Sequence, residues 1–218
     1  MVSKDTILDI LKNAGFNPGQ REPKETWLPF LRSQTGRVWS CDFFTVESAF
    51  LKTIYVYFII DTASREIVLF GATRNPSRTW LETLTRTSFA GRDDLCNILI
   101  SDRDQIYGDW FKAYLADYFD IKLFRAPPRT PNCNAVAERA VKSFRSELVD
   151  HRIVYGVHDL QNLIAIYVDY YNHQRCHQSL GNNAPKQCFP EGNARQLHGK
   201  IKRQRKVAGL VVDYSLAA

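Results

Sequence analysis

The sequence predicts an α/β protein with one mixed sheet of about five strands and helices on both faces. Three observations support this class. The predicted elements follow one another in the order β-β-β-α-β-α-β-α-α. The first three strands are joined by short turns, which is typical of an antiparallel meander. The run "NILISD" is short and almost continuously apolar, as in a buried central strand.

The meander occupies the first half of the predicted core. Its first strand, "RVWSCDFFTVES", begins at Arg37, is rich in aromatic and β-branched residues and carries Asp42 at its middle. The stretch "FLKTIYVYFIIDTASREIVLFGATRN" predicts two further strands joined by a turn at "DTAS". We expect Asp61 and Arg65 to build that turn, because Asp side chains bond the backbone of tight turns.

Helices and short strands alternate in the second half. "PSRTWLETLTRTSFAG" starts with Pro76, has helical spacing of apolar residues and stops at Gly91. After "NILISD" come an amphipathic helix, "YGDWFKAYLADYF", and another short strand, "IKLFRA". Two more helices follow a proline-rich loop, with Asn134 and Asp159 predicted as their N-caps.

Composition limits the classes of function. The chain has 218 residues with 44% hydrophobic and 12% aromatic content, which describes a folded protein. Its formal charge of +6 favours a polyanionic partner. No secretory signal is visible, and no apolar run approaches the roughly 18 residues that a membrane span needs. Five scattered cysteines without a CxxC pair are expected to be free thiols in a reducing cytoplasm.

The predicted core has appendages on both sides. We expect residues 1–35 to form an N-terminal helical appendage and linker, residues 36–190 the core, and residues 191–218 a basic tail. The tail ends in an apolar stretch that fits one more strand. Its cationic run is either a solubilising tail or, as we favour, an arm that binds DNA phosphates; it comprises Lys200, Lys202, Arg203, Arg205 and Lys206.

Three carboxylates form the central functional prediction. Asp42 lies mid-strand, where an acid suits neither β structure nor burial. Asp102 ends the apolar run "NILI", at a sheet edge where ligands commonly bind. Glu138 lies one turn into a helix, and thirty-five residues separate it from Asp102. If the two aspartate-bearing strands are neighbours, all three carboxylates can meet.

Clustered carboxylates repel one another, and divalent metal relieves that repulsion. Oxygen-only ligands suit Mg²⁺, with Mn²⁺ as its substitute. Two such ions, about 3.5–4 Å apart, would activate a water or a 3′-hydroxyl and stabilise the leaving oxygen. The residues therefore indicate a two-metal site for phosphodiester chemistry.

Four stretches carry a family resemblance, in the order "WSCDFFTV", "ILISDRD", "PPRTPNCNAVAERAVKSFRSEL" and "YVDYYNHQRCHQSLGNNAPKQ". Over roughly residues 37–187 the chain resembles the catalytic core of the retroviral-integrase superfamily, especially bacterial insertion-sequence transposases. The resemblance implies a ribonuclease-H-like fold, two Mg²⁺ ions, and cutting and rejoining of DNA. Asp42, Asp102 and Glu138 fall on the family's catalytic triad. Asp104 stands where relatives often have glycine and competes for the role of Asp102, although the interval to Glu138 favours Asp102.

The resemblance also implies partners. Such relatives pair two DNA ends as multimers, so a homo-oligomer acting on element ends and target DNA is expected, in the nucleoid-associated cytoplasm of a bacterium. Relatives usually carry an upstream helix-turn-helix region, for which residues 1–35 are too short. The chain is then a core fragment, a shortened element product, or a protein that relies on another for DNA recognition.

Cationic and polar side chains near Glu138 are candidate DNA contacts. Lys142 is expected to hold a phosphate, with Arg139 and Arg145 beside it; the plainer interpretation is a solvated helix face with a Glu138–Lys142 pair. The loop "PPRTPNCN" is either a stiff connector or an active-site loop that contacts DNA. In that loop, the candidate contacts are Arg129 and Asn132.

The block "HQRCHQ" brings His173, Cys176 and His177 together. No second ligand pair stands at zinc-finger spacing, so the block is expected to be structural or close to DNA rather than a zinc site. The most economical function is thus a transposase or integrase. The rivals are a nuclease of the same fold that cuts without joining, and a non-catalytic DNA-binding or assembly protein that retains the core.

Overall fold

The computed structural model describes residues 37–127, 133–186, 201–207 and 209–216. A five-stranded sheet forms the centre, built from β1 (Val38–Glu47), β2 (Thr53–Asp61), β3 (Ile67–Thr73), β4 (Ile98–Ser101) and β5 (Lys122–Arg125). Their spatial order is β3-β2-β1-β4-β5. Strands β1, β2 and β3 pair antiparallel, whereas β4 pairs parallel with both β1 and β5. The prediction of a mixed five-stranded sheet is confirmed.

Four α-helices accompany this sheet in the described part of the chain: α1 (Arg78–Phe89), α2 (Asp109–Phe119), α3 (Ala135–Glu147) and α4 (Val157–His173). Short 3₁₀ turns lie at Gln105–Tyr107, Val149–His151 and Gln178–Leu180. The order of strands and helices through α4 is the predicted one. None of these helices has the length and apolar character to cross a bilayer.

Helices cover both faces of the sheet, as predicted, and strand β2 shows why. Successive side chains of a strand point to opposite faces. Val56 and Phe58 belong to the core that packs against α3 and α4, while Tyr57 and Ile59 belong to the core that packs against α1 and α2. Because both faces are apolar, β2 is buried almost throughout and reads as a continuous hydrophobic run.

Two of the predicted N-caps need correction. Asn134 occupies the N-cap position of α3, but its side chain caps no helical N–H. Helix α4 begins at Val157, with Gly156 as its N-cap, so the prediction of Asp159 as cap is wrong. Asp159 instead lies in the first turn, and its Oδ2 accepts a hydrogen bond from the N–H of Tyr155 at 3.0 Å, which ties the incoming loop to the helix.

The basic C-terminal run is a strand rather than a free arm. Strands β6 (Ile201–Lys206) and β7 (Val211–Leu216) pair antiparallel, with Arg203 opposite Tyr214. The expectation that the apolar stretch forms one more strand is confirmed by β7, and the basic run supplies a second strand, β6, that was not predicted. A lone apolar strand would leave its backbone groups unpaired, and the preceding basic segment provides their partner across a turn with Gly209 at φ 90°.

The predicted free thiols are confirmed where the structure describes them. Cys41, Cys96 and Cys133 are buried and unpaired, and Cys176 is exposed. Cys188 and the N-terminal appendage lie outside the described residues.

Candidate active site

Asp42 lies on β1, and Asp102 directly follows β4, the neighbouring strand. Strands β1 and β4 run parallel, and the last paired residues are Ser40 and Ile100. Continuing this register by two residues sets Asp42 beside Asp102, and adjacent strands lie about 4.8 Å apart. The condition set by the sequence for a shared site is thus met.

Asp42 faces the layer formed by α3 and α4. It is two residues before Phe44, whose ring lies 5.4 Å from that of Phe144 in α3, and alternate side chains share a face. The Asp42 carboxylate is half-buried, and its Oδ1 accepts a hydrogen bond from the N–H of Phe43 at 2.8 Å. A strand in the middle of a sheet therefore fixes this carboxylate rigidly.

Asp102 begins a loop that is hydrogen-bonded to the end of β5 and to the residue that follows it. Its Oδ1 accepts a hydrogen bond from the N–H of Asp104 at 3.0 Å. The N–H of Ala126 donates to the carbonyl of Ser101 at 2.9 Å, and the Nε of Arg103 donates to the carbonyl of Ala126 at 3.1 Å. These bonds hold Asp102 at the carboxyl end of β4.

Asp104 caps the 3₁₀ turn that follows it. Its Oδ1 accepts a hydrogen bond from the N–H of Ile106 at 3.1 Å and so caps the 3₁₀ turn that begins at residue 105. A carboxylate engaged in capping is less free to bind a ligand. Asp102 accepts a similar backbone bond, but it stands directly at the carboxyl end of β4, whereas Asp104 lies two residues farther along the loop; this position favours Asp102 as the candidate.

Glu138 is brought to the site by the start of α3. The Nδ2 of Asn134 donates to the carbonyl of Cys41 at 3.2 Å, which ties the helix start to the residue before Asp42. The N–H of Glu138 donates to the carbonyl of Asn134 at 3.0 Å, one turn into the helix. Buried Ala137 lets the helix approach the sheet closely, while the Glu138 side chain is exposed. The non-capping role of Asn134 therefore positions the third acid.

The acids influence one another electrostatically. Burial, which has the largest effect, and the negative charges of Asp102, Glu138 and Asp104 together raise the pKa of Asp42 to about 7, against the hydrogen bond from the N–H of Phe43. Burial and the charge of Asp104 also raise the pKa of Asp102. Repulsion of this kind is typical of carboxylates that share one site.

The carboxylates do not converge into a closed metal cage. Within the described ranges, no group of three or more His, Cys, Asp or Glu side chains is close enough to hold a metal ion. The donor chemistry nevertheless fits Mg²⁺ or Mn²⁺, because the acids offer only oxygen atoms. The raised pKa of Asp42 also reflects a repulsion that a divalent cation would relieve.

The cationic side chains of α3 have different environments. The Nη2 of Arg145 donates to the carbonyl of Thr45 at 3.1 Å, and its guanidinium lies 5.8 Å from the centre of the Phe44 ring. Arg145 is thus anchored to β1. Lys142 is exposed, and in the described part of the chain no ion pair joins it to Glu138, contrary to the plainer interpretation of this face.

A groove runs beside the carboxylates. Its volume is about 710 Å³, and Asp104 and Arg145 lie on its wall together with apolar and aromatic side chains. Those side chains include Phe43, Tyr55 and Pro76. The charges of Asp104 and Arg145 offset each other, so this groove has an aromatic and apolar wall without net positive charge.

The end of α4 and the segment that follows it form a structural clip, which agrees with the expectation that the "HQRCHQ" block is structural. Asn172 is buried, and its side chain bonds both the N–H and the carbonyl of Ile67 at 2.9 Å. Arg175 pairs with Glu147 at the end of α3, with Nε to Oε2 at 2.9 Å. The N–H of His177 donates to the carbonyl of Asn183 at 3.1 Å. No local signal distinguishes Asn172, because α4 carries several other polar residues, among them Gln161 and Asp169.

The remaining predicted DNA contacts are only partly described. Arg203 and Arg205 are exposed on β6, and Lys206 is half-exposed. Lys202 lies on the same strand. Arg129, Asn132 and Lys200 lie outside the described residues.

Known proteins resemble this chain in sequence and in fold. The integrase core domain family matches residues 32–131 and 119–185. No curated protein sequence matches the chain. Among solved structures, the catalytic core domain of BIV integrase has a TM-score of 0.52 at 15% identity, covering 68% of this chain and 90% of that one.

Two further structures share the fold. The HTLV-2 integrase catalytic core domain in complex with magnesium, in a trimeric form, has a TM-score of 0.52 at 13% identity, covering 68% of this chain and 93% of that one. A simian T-cell lymphotropic virus intasome, in complex with PP2A regulatory subunit B56 gamma, has a TM-score of 0.53 at 13% identity, covering 78% of this chain and 62% of that one. The chain belongs to the retroviral-integrase superfamily: the integrase core domain models match it over residues 32–185, and its described residues form a catalytic core of ribonuclease-H-like fold.

Proposed function

We propose that the chain is a DNA transposase or integrase, a polynucleotidyl transferase that hydrolyses a phosphodiester at an element end and then joins the exposed 3′-hydroxyl to target DNA. One observation carries the proposal. Asp42 lies on β1 and Asp102 directly follows β4, the parallel neighbour of β1, and the helix that bears Glu138 is tied by Asn134 to the residue before Asp42. Family membership and this arrangement support the same chemistry.

Asp42, Asp102 and Glu138 are the proposed ligands of two Mg²⁺ ions, for which Mn²⁺ would substitute. When bound, such ions lower the pKa of water or a hydroxyl and neutralise charge on the leaving oxygen. The strands hold Asp42 and Asp102 at fixed positions, whereas exposed Glu138 is free to change rotamer and complete the set. Ionised Asp42 is needed for this role, although burial favours its protonated form.

Side chains on α3 are proposed to position the DNA. Exposed Lys142 can neutralise a phosphate next to the carboxylates, and exposed Arg139, on an adjacent face of α3, a phosphate farther along the DNA backbone. Such contacts set register without reading sequence. Arg145 is anchored beside the groove and would present the rest of its guanidinium to the same backbone. The loop and tail residues remain predicted contacts at the edges of this surface, namely Arg129, Asn132, Lys200, Lys202, Arg203, Arg205 and Lys206.

The working form is proposed to be a homo-oligomer that pairs two DNA ends. The retroviral neighbours are described as an intasome and as dimeric and trimeric forms of a catalytic core, which supports multimeric action by proteins of this fold. Recognition of the element end would come from another segment or a separate protein. A bacterial, nucleoid-associated location remains a prediction.

A strand-transfer assay tests the proposal. A labelled duplex with a precut 3′ end is incubated with target DNA, with and without Mg²⁺, and joined product is resolved on a gel. Wild-type protein should join the ends only with Mg²⁺, and Glu138→Gln should lose at least about a hundredfold in rate, since it removes one charged ligand. Glu47→Gln, an exposed acid at the end of β1, is the matched control.

The rival functions give different results. Cleavage of an uncut duplex without any joined product would assign a nuclease. Joining or transposition that is fully retained by Asp102→Asn would assign a non-catalytic role to the core and remove the proposal.

A further inference from the structure

A second cavity lies against α3, away from the carboxylates. Its volume is about 600 Å³, and Ala135, Arg139 and Ser143 form its α3 wall. These residues recur every four positions and therefore share one helix face, about 100° around the axis from Glu138. The opposite wall comes from the β2–β3 turn and from the clip after α4. The polar residues of this opposite wall include Arg65, Arg175, His177 and Ser179.

The lining carries positive charge without a carboxylate. Three of its residues are arginines and none is Asp or Glu. Glu147, behind the wall, pairs with Arg175 at 2.5 Å and offsets one charge. In the described part of the chain, no ion pair engages Arg139. A concave surface with this imbalance focuses positive potential on whatever enters it.

The pKa of His177, which lies in the wall of the cavity, is sensitive to that positive potential. Burial, together with the positive charges of Arg175 and Arg65, lowers the pKa of His177 to about 4. The imidazole is therefore neutral at pH 7, and the same two guanidinium groups lower the pKa of Tyr171 against the effect of its burial. Both side chains lie in the wall of the cavity, so the arginine charges act within it.

The Arg175 guanidinium and the Arg65 backbone are held in place. Arg175 lies 5.4 Å from the centre of the Tyr171 ring, and its Nε bonds Glu147. Arg65 adopts φ 65°, a left-handed conformation that is uncommon for a residue other than glycine. Its N–H donates to the carbonyl of Asp61 at 2.9 Å, which fixes that turn. Strained, fixed positions of this kind cluster at binding sites.

We infer that the cavity bounded by Arg65, Arg139 and Arg175 is a phosphate-binding site, with the hydroxyls of Ser143 and Ser179 as further donors. Guanidinium groups match phosphate oxygens in geometry, and the first turn of α3 at Ala135 adds the positive end of a helix dipole. Because the chain is proposed to process DNA, the phosphate is assigned to the DNA backbone, outside the reacting phosphodiester. The site thus deepens the proposed function.

Salt-dependent DNA binding tests the site. Fluorescence anisotropy of a labelled duplex is measured from about 50 to 200 mM salt for wild type, Arg139→Gln and the double variant Arg65→Gln/Arg139→Gln. The slope of log affinity against log salt should fall by about 0.9 for each lost phosphate contact, with about threefold weaker binding per contact. Arg86→Gln, an exposed arginine on α1, is the matched control and should change neither slope nor affinity.

A second titration separates the two sources of phosphate. Pyrophosphate is added to each variant and its binding is followed by calorimetry. If Arg139→Gln loses pyrophosphate binding but keeps the DNA slope, the phosphate site stands and its assignment to DNA is overturned. If Arg139→Gln and the double variant match wild type in both titrations, there is no phosphate site.

Failure of the site is distinguishable from failure of the proposed function. Asp102→Asn should abolish joining while it keeps the wild-type salt slope. Retained joining by Asp102→Asn would overturn the proposed function whatever Arg139→Gln does. An unchanged slope in Arg139→Gln would overturn only the assignment of the phosphate site to DNA, and an unchanged slope together with unchanged pyrophosphate binding would overturn the site itself.

Discussion

Replacing Asp42 with Asn should make the metal-free protein more stable at alkaline pH. In the folded protein, burial and neighbouring acids raise the pKa of Asp42 from an ordinary value of 3.8 to about 7. Between these values the folded state binds more protons than the unfolded state. Stability therefore falls as pH rises through this window, and the loss is complete above the folded pKa.

The size of the effect follows from the shift. One pH unit corresponds to about 1.4 kcal/mol, so the rise in the pKa of Asp42 corresponds to about 4 kcal/mol of lost stability at pH 8. Asn has no ionisable group, and its Oδ1 can still accept the bond from the N–H of Phe43. The variant should match wild type near pH 4 and exceed it by up to about 4 kcal/mol at pH 8.

The assay is urea unfolding followed by circular dichroism at half-unit steps from pH 4 to 8, with a chelator present. Asp117→Asn, an exposed acid on α2, is the control and should follow wild type throughout. Added Mg²⁺ should stabilise wild type at pH 8 and have a smaller effect on Asp42→Asn. A constant difference between Asp42→Asn and wild type over the whole range would refute the electrostatic reasoning.

Two further predictions concern the scaffold. Asn172→Ala should lower the free energy of unfolding by about 2–4 kcal/mol, because it leaves the N–H and carbonyl of Ile67 unpaired; in urea denaturation, a loss no larger than that of exposed Asn162→Ala would contradict the clip. Gly71→Ala should cost about 1–3 kcal/mol, because the added methyl would lie 2.6 Å from Cδ2 of Leu84 in α1. Adding Leu84→Ala relieves that clash, so denaturation of the double variant should show a smaller loss than the two single losses together, and strict additivity would disprove the contact.

The sequence was informative where the signal is local. Asp42 stands out because an acid rarely lies mid-strand, and Asp102 because it ends a short apolar run. The structure confirms that their strands are parallel neighbours. The type and order of the helices and strands were likewise predictable, because apolar residues recur about every 3.6 positions in a helix and every second position in a half-buried strand.

Other features depend on contacts between distant parts of the chain. Asn172 and Ile67 are 105 residues apart in sequence, and Asn134 and Cys41 are 93 apart. No local pattern reveals such partners, so Asn134 was predicted to cap its own helix when it bonds β1 instead. The pairing of β6 with β7 was missed for a related reason, because a run of basic residues resembles a solvated tail.

Binding of Mn²⁺ tests the central claim most directly. Electron paramagnetic resonance measures free Mn²⁺ during titration of wild type, Asp102→Asn, Glu138→Gln and the control Asp117→Asn, in the presence of a DNA duplex. The account predicts that wild type and the control bind the ion alike, and that each triad variant binds it at least about tenfold more weakly. Equal affinity in all four proteins would contradict a metal site shared by these carboxylates.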